Sequence, residues 1–131
     1  MSFANYWENE ILDHIFGKGT YSAPANIYVG LSTANPGEDA SGLSEPSGGS
    51  YARIETSASD WTAASGGAIS NSSKITFATS TATWGAITYV AIFDAASGGN
   101  MLAYGLLATQ ANILINNTAY FSIGGLEVTL D

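Results

Sequence analysis

The stretch "TWGAITYVAIFDAASGGNMLAYGLLAT", residues 83–109, decides the fold class. Its first half is rich in β-branched and aromatic residues and is apolar on both faces from Tyr89 to Phe93, as a strand buried at the centre of a sheet must be. The segment Asp94–Asn100 then supplies the small and glycine residues of a tight turn, and a second β-rich run follows directly. A strand, a short turn and a strand make an antiparallel hairpin, because a parallel return would need a crossover of a dozen residues or so.

Working outward, the same period of two recurs. In "NIYVGLST" (26–33), Ile27, Val29 and Leu31 alternate with Tyr28, Gly30 and Ser32. "SYARIETS" (50–57), "KITFAT" (74–79), "ANILI" (111–115) and "AYFSIGGLEVTL" (119–130) are further strand candidates, the last broken near Gly124-Gly125. Gly-Gly pairs at 48–49, 66–67, 98–99 and 124–125 punctuate them. The Ser/Thr/Ala/Gly-rich segment 56–83 predicts short, irregular edge strands anchored by Trp61 and Ile69. The whole predicts a mainly β domain, an antiparallel sandwich of the jelly-roll kind, over residues 26–131.

Only the N-terminus breaks the pattern. Over residues 1–18, Phe3, Trp7, Ile11 and Ile15 fall four apart, with Leu12 and Phe16 widening the stripe, which predicts one amphipathic α-helix. Ser2 is placed to cap its start, and Gly17 or Gly19 to end it. At 131 residues the chain has the size of one domain, with no linker long enough to divide it.

Composition narrows the chemistry. Hydrophobic residues make up 46% and charged residues 11%, so hydroxyls, amides and small side chains must cover much of the surface. Net charge is −8, and the only cations are Lys18, Arg53 and Lys74, which disfavours direct binding to nucleic acid or to an anionic membrane. With no cysteine there can be neither a disulfide nor a thiolate metal site. A single histidine, His14, lies beside Asp13 near the predicted helix end, where the helix dipole favours it, and no G-x-S-x-G elbow accompanies it. The glycines form no phosphate-binding motif, and the carboxylates read as solvated faces more readily than as a glycosidase pair. The acidic start "MSFANYWENEILDH" lacks the pattern of a signal peptide. No enzyme and no cofactor is expected.

One long connection remains, residues 33–51, "TANPGEDASGLSEPSGGSY". Glu38 and Asp39 are its candidates for calcium, although adjacent side chains diverge and the alternating acid spacing of a calcium loop is missing. The simpler reading is a charged surface loop bent at Pro36, Gly42 and Pro46; a loop of this length also suits a contact role in an assembly.

The order of segments resembles a family of small tailed-phage and prophage virion proteins of the tail-fibre-like or head-decoration kind. The residues that carry the resemblance are "NYWENEILDHIFG" (5–17), "YSAPANIYVGLSTANPGEDASGLSEPSGGSYAR" (21–53) and "SNSSKITFATSTATWGAITYVAIFDAASGGNMLAYG" (70–105). It implies a non-enzymatic virion component with a β-rich fold, made in the host cytoplasm, and it transfers no catalytic residue. The leading expectation is a capsid decoration, or cement, protein: a homotrimer clamping the major capsid protein from outside, with Phe3, Trp7, Pro36, Glu38, Asp39, Leu43 and Pro46 as its docking residues. The alternatives are a tail-fibre or tail-tip component and, from another class, a carbohydrate-binding module using Trp61, Trp84 or tyrosines.

Overall fold

The computed structural model describes residues 1–130. The hairpin of 83–109 is the centre of the molecule. Counting strands in chain order, β1 is Ser2–Phe3, β2 Ile27–Ser32, β3 Ile54–Thr56, β4 Ala68–Ser70, β5 Ile75–Thr76, β6 Gly85–Phe93, β7 Met101–Ile113, β8 Tyr120–Phe121 and β9 Glu127–Thr129. Five of them form one sheet in the order β1-β7-β6-β2-β3, all neighbours antiparallel. The pairs β4-β9 and β5-β8 make two small ribbons.

The ribbons cover one face of the large sheet, which gives the sandwich. Val29 and Leu31 of β2, Val90 and Ile92 of β6 and Ala103 of β7 point to that side, where they meet Ile75, Phe77, Leu126 and Val128 from the ribbons and their flanks. Phe77 stands edge-on to both Trp84 and Phe121, at centroid distances of 6.3 Å each. Such edge-to-face contacts add about 0.5–1.5 kcal/mol per pair beyond the area buried. On the opposite face Ala91, Phe93 and Met101 are buried by Ala4, Ala40 and Leu43, so the chain start and the long loop form a partial second cover.

The observed elements depart from the expected ones at several points. The N-terminal helix, α1, spans Asn5–Ile15 and not 1–18, because Ser2 and Phe3 pair with Tyr104 and Ala103 of β7 as a short strand. Ala4 therefore occupies the cap position without a side-chain cap, and its N–H donates to the Leu102 carbonyl at 2.8 Å. At the other end Gly17 (φ 70°) turns the chain, with Lys18 N–H on the Asp13 carbonyl at 2.8 Å and Gly17 N–H on His14 at 3.3 Å, the paired pattern of a Schellman stop. The candidate at 50–57 keeps strand pairing only over Ile54–Thr56.

The segments 100–109 and 111–115 join as the single strand β7. Its alternation is broken because Ile87 pairs with Ala111 while Tyr89 pairs with Leu106, leaving Leu107, Ala108, Thr109 and Gln110 opposite Thr88 alone. That wide bulge, not a turn, separates the two apolar runs.

Candidate interaction surfaces

The long loop is tied down along its whole length. At its mouth the hydroxyl of the buried Ser32 donates to the Ala34 carbonyl at 2.7 Å and accepts from the Ser44 N–H at 3.0 Å. Thr33 N–H reaches the Ser44 carbonyl at 2.9 Å, closing the segment between them as a compact Ω-shaped excursion. Further on, the Trp84 indole N–H donates to the Gly49 carbonyl at 2.8 Å.

Between these anchors lies a polar network. Leu31 N–H donates to the Tyr51 hydroxyl at 2.8 Å, which donates in turn to Glu45 Oε1 at 2.8 Å. Arg53 meets the same carboxylate with two N–H groups, and its Nη1 donates to the carbonyls of Ala95 and Gly98 at 2.8 Å each. Its guanidinium also stacks on Phe93, 3.3 Å from the ring centroid. Burial is the main force raising the Tyr51 hydroxyl pKa; the Leu31 N–H opposes that rise, and the Glu45 carboxylate adds to it.

The expected docking residues divide between covered and exposed positions. Pro36 is buried, and Leu43 packs against the Phe93 side of the sheet. Phe3 and Trp7 stack on each other at 4.4 Å and pack against the main core. Pro46 lines a shallow recess with Glu45, Arg53 and Ser97. Glu38 and Asp39 are exposed and line another recess with Tyr6 and Asn100.

As cation ligands, Glu38 and Asp39 are not joined by further donors of their kind. Among the described residues no group of three His, Cys, Asp or Glu side chains is placed to hold a metal ion. Asp39 instead accepts the Ser41 N–H at 3.0 Å, and hydrogen bonds from Ser41, its hydroxyl foremost, hold this carboxyl below the usual range. The Glu38 carbonyl accepts the Asn5 N–H at 3.0 Å, which ties the loop to the first turn of α1.

The tryptophans suggested for a glycan platform face inward. Trp61 is buried with its N–H on Thr56 Oγ1 at 3.0 Å, and Trp84 is buried with its N–H on Gly49. Neither presents a ring to solvent, because each anchors an irregular segment to the core. His14 Nδ1 accepts the Tyr21 N–H at 3.2 Å and so fixes the chain after the helix stop.

Two surfaces stand out instead. None of the residues of α1 is buried, and Leu12, Ile15 and Phe16 at its end are exposed, beside Glu8, Glu10 and Asp13. Away from the helix, Leu106, Leu114, Ile115, Tyr120, Ile123 and Leu130 are also exposed, with Lys74 over the Tyr120 ring. Single exposed apolar side chains are ordinary, whereas groups of them mark contact surfaces. No helix is long and apolar enough to cross a membrane among the described residues.

Fold and surfaces together define a small antiparallel β-sandwich with an N-terminal helix. Residues 2–129 match the family described as Podophage GP4 fiber I protein gp80, and the chain belongs to that family. It is thus a bacteriophage structural protein of the virion. No curated protein matches the chain.

Proposed function

We propose that this protein is a non-enzymatic fibre component of the virion, held in place through the exposed end of α1. The observation that carries this reading is the family match over residues 2–129. The geometry supports the helix as the attachment element. Leu12, Ile15 and Phe16, exposed by 53%, 67% and 73%, continue the apolar stripe of Trp7 and Ile11 beyond the sheet that covers its beginning. The acids on the same helix suit a groove with a basic rim on the neighbouring virion protein.

A second reading, decoration of the outer capsid shell as a homotrimer on the major capsid protein, draws support from the net charge of −8, which packaged nucleic acid repels. Copy number and position separate the two. Electron microscopy of intact particles, with quantitative mass spectrometry, should place a small number of copies at the tail. Copies arrayed over the shell at capsid-subunit stoichiometry would replace the fibre reading with the decoration one. On the fibre reading, the double variant Leu12→Glu/Phe16→Glu should fold normally and be missing from assembled particles.

A further inference from the structure

We propose that the recess between the long loop and the β6–β7 turn is a binding site for one neutral sugar unit, built on the Glu45–Arg53 pair. The recess has a volume of about 340 Å³, within the range of small-molecule sites, and Glu45, Pro46, Tyr51, Arg53, Ser97 and Gly98 line it. Two segments distant in sequence make its sides, the loop end at 45–53 and the turn at 96–98. Arg53 clamps one to the other, because its Nη1 donates to the carbonyls of Ala95 and Gly98 at 2.8 Å each. A recess fixed in this way has its shape before a ligand arrives, which lowers the cost of binding.

The pair that lines the recess has hydrogen-bonding capacity to spare. A guanidinium carries five N–H groups. In Arg53 the Nε group and one on Nη2 go to Glu45, and Nη1 serves the two carbonyls. The second N–H of Nη2 has no acceptor among the described residues, on a side chain only 5% exposed. A buried donor left without an acceptor is costly, so a ligand oxygen that reaches it is favoured. Glu45 Oε2 accepts from Arg53 alone, and the exposed Ser97 hydroxyl adds a group that both donates and accepts. Neighbouring hydroxyls on a sugar ring match a donor and an acceptor held side by side. Pro46, with Ala52 and Ala96, supplies the apolar edge on which the C–H groups of such a ring rest.

Charge selects against other small ligands. The Glu45–Arg53 pair is neutral as a unit, so no spare positive charge attracts an anion, and the net charge of −8 repels one. A cation would meet the Arg53 guanidinium. An uncharged, hydroxyl-rich molecule meets neither penalty. The recess would serve equally on a fibre or on a shell.

The test is an NMR titration of the isotope-labelled full chain at low salt. The probes are two neutral sugars, glucose and N-acetylglucosamine, and two charged relatives of the same ring, protonated glucosamine and glucuronate. The expected result is a saturable shift of the Arg53 Nε–H and of the Ser97 and Gly98 amides with a neutral sugar, and binding several-fold weaker for both charged relatives. Ala96→Tyr and Ala52→Tyr, each at an exposed position on the rim, should abolish the shifts by filling the recess, with thermal midpoints near the parent's. Glu38→Gln/Asp39→Asn, outside the recess, should leave the shifts intact. The absence of a saturable shift with either neutral sugar would overturn the proposal, as would shifts that map elsewhere or survive both tyrosine variants. Tighter binding of glucuronate or of glucosamine would replace the neutral site with an ionic one. The fibre assignment would survive each of these results, since it is tested by position in the particle.

Discussion

Glu45 and Arg53 form a two-point ion pair, Nε to Oε1 at 3.0 Å and Nη2 to Oε2 at 2.7 Å, with their side chains only 22% and 5% exposed. Because Arg53 also holds the Ala95 and Gly98 carbonyls, this one guanidinium fastens the long loop to the β6–β7 turn. Removing one member of a buried pair costs roughly 3–5 kcal/mol, since the other charge is left desolvated and unpaired. The partial exposure of Glu45 lowers that figure. Arg53→Met is therefore expected to destabilise the fold by about 2–3 kcal/mol in urea unfolding, and Arg53→Lys should recover little, lacking the planar fork. Glu45→Gln should cost less, because the amide still accepts from Tyr51.

Gly30 is the second half of the same lock. A Cβ there would lie 2.9 Å from Glu45 Oε1, 3.0 Å from Phe93 Cε2 and 3.1 Å from the Tyr51 hydroxyl. Gly30→Ala should normally help a strand by relieving the entropy cost of glycine. Here crowding wins, and a loss of about 1–3 kcal/mol is expected, the range for overpacking a filled site. The check is a thermal-midpoint comparison with Gly48→Ala, where the positive φ of 72° causes strain but no atom lies within contact distance. A Gly30→Ala protein at least as stable as the parent would show that the network has room to shift.

Tyr51 predicts an alkaline limit. Its folded pKa is raised above the ordinary value of 10.0, so the folded state keeps the proton after the unfolded chain has lost it. The corresponding stability is fully present below about pH 10 and is lost as pH rises from there toward the folded pKa. Thermal midpoints should fall above that pH, together with the appearance of tyrosinate absorbance. Tyr51→Phe should start lower at neutral pH, by about 1–2 kcal/mol for the unpaired Leu31 N–H and Glu45 oxygen, and then fall less steeply with alkali.

Deleting residues 37–47 would remove Leu43 from the Phe93 face and Glu45 from Arg53. The deletion should thus lower stability by several kcal/mol, the sum of a lost apolar contact and a broken ion pair. Glu38→Gln/Asp39→Asn, in contrast, changes only exposed carboxylates, of which Asp39 accepts one loop N–H, and should leave the unfolding midpoint close to the parent's. Comparing the two by chemical unfolding separates the loop's structural role from any role of its surface.

These cases show what was legible from residue order. The β6–β7 hairpin and β2 followed from period-two alternation and glycine turns, because local pattern and tertiary burial agree there. The helix stop at Gly17 was legible for the same reason, whereas its start was not. Whether Ser2 caps a helix or pairs with Tyr104 depends on a strand a hundred residues away. The acids of 33–51 read as a hydrated loop, yet Glu45 is half-buried because its partner Arg53 returns beside it only after the loop folds back. The β7 bulge hid one strand as two, since four residues facing one remove the alternation on which the reading depends.

Asn71 was the least visible of all, one amide in a Ser-rich run, and it is fully buried. Its Nδ2 donates to the carbonyls of Ser73 and Ser122 at 2.8 Å each, and its Oδ1 accepts the Leu126 N–H at 2.8 Å. Its own carbonyl accepts from Gly124 N–H at 2.8 Å, so this residue holds the turn between β8 and β9 on both sides. Asn71→Leu fills a similar volume but orphans two carbonyls and one N–H, each costing about 1–3 kcal/mol where buried. A loss of about 3–5 kcal/mol is expected, large against the roughly 5–15 kcal/mol that holds a typical domain together. Asn71→Asp retains the acceptor for Leu126 and loses the two donors, so it should be intermediate at low pH, where the carboxyl is protonated, and worst near neutrality. Hydrogen exchange would localise the damage. The Leu126 and Gly124 amides should lose protection first, and unchanged protection there would mean that the 122–126 turn is held by the β4-β9 ribbon instead.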